Sequence, residues 1–255
     1  MPDTPKRNRL SEHYTSLYNR QETDFRNSNL RKFVLKGARG SNALEVGCGT
    51  GHLALDLLER GFSVVAVDIL PQMVEFTKQT TQSHAHQIQI LKLRAEELHK
   101  LGPQTFDLIT CVDVLEHIEF DTQVLIGIRE RLNKHGKFLL VVPAHKCLYG
   151  VRDREMGHFR RYSRAEIQQK MTQCGFKVKK LCFWNATGVL PYFISEKVLK
   201  RPINESLRHS PQSQFASVFN LLLRQWFALF ENHVHLGFGL SLFVVAEKSN
   251  PSTVI

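Results

Sequence analysis

Two stretches of the 255-residue chain concentrate residue types that do chemistry. The first is Leu44-Glu45-Val46-Gly47-Cys48-Gly49-Thr50-Gly51, which follows a strand pattern and opens a helical one. Glycines at every second position let the backbone turn tightly and approach a ligand closely. The helix start behind them offers free N–H groups. A dinucleotide fingerprint, G-x-G-x-x-G, needs glycine at position 52, where the chain has His52. Glu45 suits a cationic ligand end, such as an α-amino group, better than a pyrophosphate. Asp68 closes the second strand, where a carboxylate accepts from both hydroxyls of a ribose. Glu45, Gly47, Cys48, Gly49, Gly51 and Asp68 therefore describe a nucleoside ligand with a ribose, a positive end and no pyrophosphate.

The second stretch runs from Tyr149 to Ser163 and carries Arg152, Arg154, Arg160 and Arg161, with Arg164 next. Guanidinium forks match phosphate or carboxylate oxygens, so Tyr149, Arg152, Arg160 and Arg161 are candidate acceptor-binding residues. His158 is the loop's neutral-pH base. It and Tyr162 are the catalytic candidates. A structural reading competes, in which the arginines pair with Asp153, Glu155 and Glu166. In either case Ser163-Arg164-Ala165-Glu166 fits a capping box. His117, in a Leu-Glu-His-Ile run after the fourth strand, either touches a ligand or packs at a helix start. His84/His86 and His233/His235 have no carboxylate or cysteine near them in sequence, so no metal site is expected.

The elements that must position these residues alternate. Strands are expected at 42–46, 62–67, 88–93, 106–112, 137–142, 176–183 and 240–247. Helices are expected at 10–39, 52–59, 71–79, 122–132 and 164–174, and two apolar ones at about 186–200 and 213–231. That rhythm means βαβ units, a mostly parallel sheet and helices on both faces. The expected fold is α/β, Rossmann-like and doubly wound, in one domain over 1–255. An N-terminal helical lid would cover 1–40, a cofactor-binding core 41–145 and an acceptor-side half 146–255, with a helical insertion at 185–235.

Composition narrows the class. Hydrophobic residues make up 42% and charged residues 23%, near globular averages, which excludes a disordered or fibrous chain. The first residues show no apolar signal run. Five cysteines without a CxxC pair fit a reducing, cytoplasmic setting better than a disulfide framework, with a place peripheral to the inner membrane face as the alternative. The net charge of +10 is uneven: +1 over 1–145 and +9 over 146–255. The basic half calls for an acidic partner, whether anionic substrate, phospholipid surface or nucleic acid, or else is a solvated face. Helix 213–231 keeps one narrow polar stripe, so most of its surface wants cover. A pocket lid, a homodimer contact and a peripheral membrane contact would each provide it.

S-adenosylmethionine fits the ligand described by the first stretch. The segment from Leu44 to about Val142 resembles the class I S-adenosylmethionine-dependent methyltransferases, and is similar to the ubiquinone-biosynthesis group among them. The resemblance rests on the glycine loop, Asp68, Arg94-Ala95-Glu96-Glu97-Leu98 and Val112-Asp113-Val114-Leu115-Glu116-His117-Ile118. The GHFRRYS run and the closing strand look like a bacterial subgroup. The resemblance implies a seven-stranded sheet with the last strand antiparallel, and S-adenosylhomocysteine as product. It also implies that Tyr14 and Tyr18 close a lid, that Ile69 and Met73 pack near the adenine, and that Ala95 and Glu96 meet its edge. Val112, Asp113 and His117 would then face the cofactor.

The expected activity is in-line methyl transfer to a small or lipid-like, anionic acceptor. A nucleic-acid methyltransferase would explain the basic half. However, the fourth strand ends in Cys111-Val112-Asp113-Val114 and lacks the Asn/Asp-Pro-Pro-aromatic run of amino-directed base methylases. A non-catalytic cofactor-binding scaffold is the remaining alternative.

Overall fold

A computed structural model describes residues 25–201, 221–223, 225–233 and 236–249. In chain order these form α1 (Phe25–Leu35), β1 (Asn42–Val46), α2 (His52–Leu58), β2 (Ser63–Asp68) and α3 (Pro71–Thr80). Then come β3 (Ile88–Lys92), β4 (Phe106–Val112), α4 (Asp121–Arg131), β5 (Leu132–Pro143) and α5 (Val151–Glu155). The chain closes with α6 (Arg164–Gln173), β6 (Phe176–Trp184), α7 (Val189–Phe193) and β7 (Ser241–Lys248). The sheet order is β3-β2-β1-β4-β5-β7-β6. β7 is antiparallel to both of its neighbours, β5 and β6, and β1 to β5 pair parallel. The seven-stranded, doubly wound expectation therefore holds, with β7 inserted before the edge strand.

Alternation along the strands divides the core between two faces. Leu44, Ile109, Phe138 and Leu140 pack with Val124, Leu125 and Ile128 of α4 and with Ile167 and Met171 of α6. Ala43, Leu108, Leu139 and Val141 pack on the other face with Phe33 and Val34 of α1 and with Ala54 and Leu57 of α2. Successive side chains of a strand point to opposite faces, so continuously apolar strands need helices on both. The chain reverses in sheet order at β1 and β4, and that is where doubly wound sheets open a ligand crevice.

The elements differ locally from the expectation. β5 begins at Leu132 rather than Lys137, because Leu132 already pairs with Phe106 across a register shift. Gly136 permits that approach, since a Cβ there would lie 2.8 Å from the Phe106 carbonyl oxygen. The arginine-rich stretch is not all loop: Val151–Glu155 is a short helix, with Asp153 accepting from Gly150 N. The segment expected as one helix over 186–200 is α7 followed by a wider π-helical turn, Ile194–Val198. The returning segment is helical at 221–223 and ends in a π-helical turn, Phe227–Glu231. Among the described residues no helix is long and apolar enough to cross a membrane.

Candidate active site

One cavity of about 410 Å³ opens at the C-terminal ends of β1, β2 and β4, and both chemical stretches line it. The glycine loop is fixed by the strand beside it: Gly47 N and Cys48 N donate to Val67 O at 2.8 and 3.0 Å. Gly47, Gly49 and Gly51 all have positive φ. A Cβ on Gly47 would fall 2.2 Å from Val114 Cγ2, and one on Gly51 would fall 2.8 Å from Thr77 Cα. Gly49 would meet nothing within 4 Å, so its face is open to the cavity. The Cys48 thiol turns into α3, where Thr77 Oγ1 donates to it at 3.2 Å. Asp68 first shapes the loop, accepting from Gly49 N at 3.0 Å and Leu70 N at 2.9 Å.

Ile69, Met73, Ala95, Glu96, Val112, Asp113 and His117 also line this end. Arg94 pairs with Glu96 at 2.8 Å. Asp113 holds a left-handed backbone (φ 53°), as does Asn185 (φ 66°) at the other end. Such conformations are sparse for residues with a Cβ and cluster at functional sites. Tyr14 and Tyr18 lie outside the described residues.

The far end of the cavity is built around Asp153, which is fully buried. Its Oδ2 accepts from Gly150 N (2.9 Å), Arg161 Nε (2.8 Å) and Tyr192 OH (3.0 Å). Its Oδ1 lies 2.8 Å from His158 Nδ1. Burial alone would raise its pKa. The hydrogen bonds from His158 and Arg161, with the Arg161 charge, instead hold this carboxyl below the usual carboxylate range. An ionised Asp153 only accepts, so His158 Nδ1 is the donor in this pair. Arg152, His158, Arg161 and Tyr192 line the cavity here.

Three candidates from the arginine stretch are turned elsewhere. Tyr162 is fully buried, with its hydroxyl donating to Asp121 Oδ2 at 2.9 Å. It pairs with Ala144 as an isolated bridge that draws it into the core, and its pKa is raised by burial. Catalysis by Tyr162 is therefore corrected to a structural bond. Arg160 Nη2 donates to Glu119 O at 2.6 Å and Nη1 pairs with Asp121 at 3.3 Å, away from the cavity. Tyr149 OH donates to His158 O at 2.7 Å and steadies that residue rather than lining the cavity. Arg161 does line it, but its guanidinium is only 5% exposed and is held by Asp153 and Ala144 O. Ser163 caps α6 as expected, accepting from Glu166 N at 3.2 Å.

His117 and His158 meet edge to face, with ring centroids 4.5 Å apart. Burial, then the neighbouring His158, pushes the His117 pKa down to about 3, so its ring is neutral. Burial, then Asp113, raises Glu116, whose Oε2 is buried without a hydrogen-bond partner. Glu116, His117 and His158 bring three potential ligand atoms within 4.8 Å of one another. The expectation of no metal considered only the other histidine pairs, and this grouping spans 43 residues of sequence, Glu116 to His158. Asp153 was named from sequence only as an arginine partner, which it is for Arg161, and Glu116, Tyr192 and Asn185 were not singled out as site residues. Asp153 and His158 at i,i+5 carried the one readable signal, whereas Tyr192 looks like any aromatic residue of an apolar helix.

The residues fit the inferred cofactor. Burial, then Asp68, raises the Glu45 pKa, and Glu45 Oε2 is buried with no hydrogen-bond partner. An orphaned acid at the glycine loop is the complement of a cationic ligand end.

Comparisons with known proteins agree with this geometry. A family model described as "Methyltransferase domain" matches residues 18–181. The ubiquinone biosynthesis O-methyltransferase, mitochondrial, of Schizosaccharomyces pombe is 35% identical over 106 residues, which cover 40% of this chain and 37% of that protein. The ubiquinone biosynthesis O-methyltransferase of Rickettsia canadensis is 24% identical over 151 residues, or 54% of this chain and 63% of that one. The match therefore spans less than two thirds of either relative. Among solved structures, the O-methyltransferase from the trans-AT PKS multienzyme of Brevibacillus brevis, in complex with S-adenosyl-L-homocysteine, superposes with a TM-score of 0.57. It is 14% identical, with 87% of this chain and 72% of that chain covered, and shows a shared fold.

Proposed function

The chain belongs to the methyltransferase domain family, and from that premise we propose that it moves a methyl group from S-adenosylmethionine to an oxygen of a small or lipid-like, anionic acceptor. The observation that carries this reading is the shared cavity, with an orphaned acid and glycine loop at one end and a histidine–aspartate pair with Arg152 at the other. Oxygen as the acceptor atom follows the names of the relatives.

Bound in this cavity, S-adenosylmethionine supplies an electrophilic methyl on a sulfonium. Glu45 holds the amino end, Asp68 the ribose, and Met73 and Ile69 the apolar edge of the base. Arg152 orients the anionic acceptor. His158 Nε2 would take the proton that the acceptor hydroxyl loses on methylation. Asp153 keeps that ring in the correct tautomer and offsets the imidazolium charge. The apolar walls exclude water.

The test is transfer of labelled methyl into a host extract, fractionated into lipid, small aqueous, nucleic-acid and protein pools. Label in lipid or small aqueous material, lost about 10²- to 10⁴-fold in His158→Ala with cofactor affinity kept, is expected. Label in nucleic acid would replace the acceptor class. Cofactor binding without transfer to any pool would favour a scaffold. Activity abolished by a chelator and restored by a divalent cation would reassign Glu116, His117 and His158 to an ion.

A further inference from the structure

The insertion between β6 and β7 carries an apolar surface that methyl transfer does not use. Among the described residues fourteen large hydrophobic side chains are exposed, and eleven of them fall between Leu190 and Phe238. Leu190, Phe193 and Leu199 lie along α7 and the turn after it, and Trp226, Leu229 and Phe230 lie on the returning segment. Both segments are tied at one base. Ala186 N donates to Glu231 Oε1 at 2.8 Å and Trp184 Nε1 to Asn232 Oδ1 at 3.1 Å.

Charge selects the occupant. The acids described on these segments, Glu196 and Glu231, are buried, accepting from Arg152 N and from Trp226 Nε1 respectively. Lys200 and Arg201 are exposed next to Val198 and Leu199, and Lys197 is half-buried. The charge this surface presents among the described residues is thus positive. A second copy seated on it would bring like charges together. An apolar face with cations beside it and an exposed tryptophan suits an anionic bilayer surface. The same short helix reaches the cavity: Tyr192, between Leu190 and Phe193, is buried with its hydroxyl on Asp153.

We propose that this insertion docks the protein on anionic lipid membranes, with the acceptor end of the cavity beside the docked face. Docking stands independently of methyl transfer; only entry of a lipid-like acceptor from the bilayer rests on the function proposed above.

The experiment is co-sedimentation of the full chain with vesicles of phosphatidylcholine alone and of phosphatidylcholine with phosphatidylglycerol. Binding at least about tenfold stronger to the anionic vesicles, weakened by salt, is expected. Leu190→Glu with Leu229→Glu should lower it about tenfold or more, and Lys200→Glu with Arg201→Glu should erase the anionic preference. Thermal melting and cofactor binding of each variant report whether the fold is kept. Equal binding to both vesicles, or none, overturns the proposal. So does a dimer in light scattering that the leucine variants dissociate while vesicles stay unbound. Vesicle binding in a chain that transfers no methyl would sink the enzyme reading and leave docking standing.

Discussion

Glu45 is a carboxyl group without a use of its own. It is buried at the end of β1, raised in pKa by burial and then by Asp68, and one oxygen has no partner. A cationic amino end placed there would supply the missing donor and favour the ionised form. The sign follows: at a pH between the lower pKa of the complex and the raised pKa of the free protein, Glu45 is protonated when free and ionised when bound. Binding therefore releases a proton, and affinity for S-adenosylmethionine rises with pH through the raised pKa. Calorimetry in buffers of different ionisation enthalpy should detect that release. Glu45→Gln should abolish it and weaken binding by about 1.5–3 kcal/mol, roughly ten- to hundredfold. Unchanged affinity and unchanged proton release in the variant would remove Glu45 from the cofactor site.

Elements decide which residues can meet, and here the glycine loop and the arginine stretch behave differently. The loop is a local device between β1 and α2, so spacing alone made it legible. Gly47 tests this. Its φ of +76° would cost a residue with Cβ about 1–2 kcal/mol, and that Cβ would also collide with Val114. Gly61 has φ +83° but nothing within 4 Å. Gly61→Ala should lower Tm by about 2–4 °C with cofactor affinity intact, while Gly47→Ala should lower Tm further and lose affinity. Equal effects would mean that Val114 yields and the close approach is unimportant. The parallel sheet and its helices were legible for the same reason as the loop, since periodicity and punctuation are local. The arginine stretch was legible only as a concentration of charge. Which of its side chains face the cavity depends on Asp121, Glu119 and Tyr192, each far away in sequence, and on α5 tightening what read as open loop. Tyr162 and Arg160 therefore left the site, and Glu116 and His117 came to stand beside His158.

Across the whole molecule the charge asymmetry of the sequence becomes a polarity of one cavity. Glu45, Asp68, Glu96 and Asp113 come from the ends of β1 to β4, beside Arg26, Arg31 and Arg94, whereas Arg152 and Arg161 follow β5. The near-neutral first 145 residues thus line one end with both signs of charge, and the +9 remainder adds Arg152 and Arg161 at the other. A cofactor with a positive end and an anionic acceptor would be drawn in with their reacting groups toward the middle. Cations around a cleft raise the capture rate of anions, and salt screens that attraction over about 8–10 Å. For an anionic acceptor, kcat/KM should therefore fall as ionic strength rises, while a neutral analogue should be nearly indifferent. Changing Arg161 would also disturb Asp153 and its His158 partner, so Arg152, which lines the cavity, is the side chain to change. Arg152→Gln should raise KM for the anionic acceptor about tenfold and flatten its salt dependence. It should leave cofactor affinity as it was, because the acids proposed to hold that ligand sit at the other end. Steady-state kinetics at several salt concentrations separate these outcomes. A variant with the wild-type salt slope would place the steering charge outside the cavity, on the basic surface of the C-terminal half.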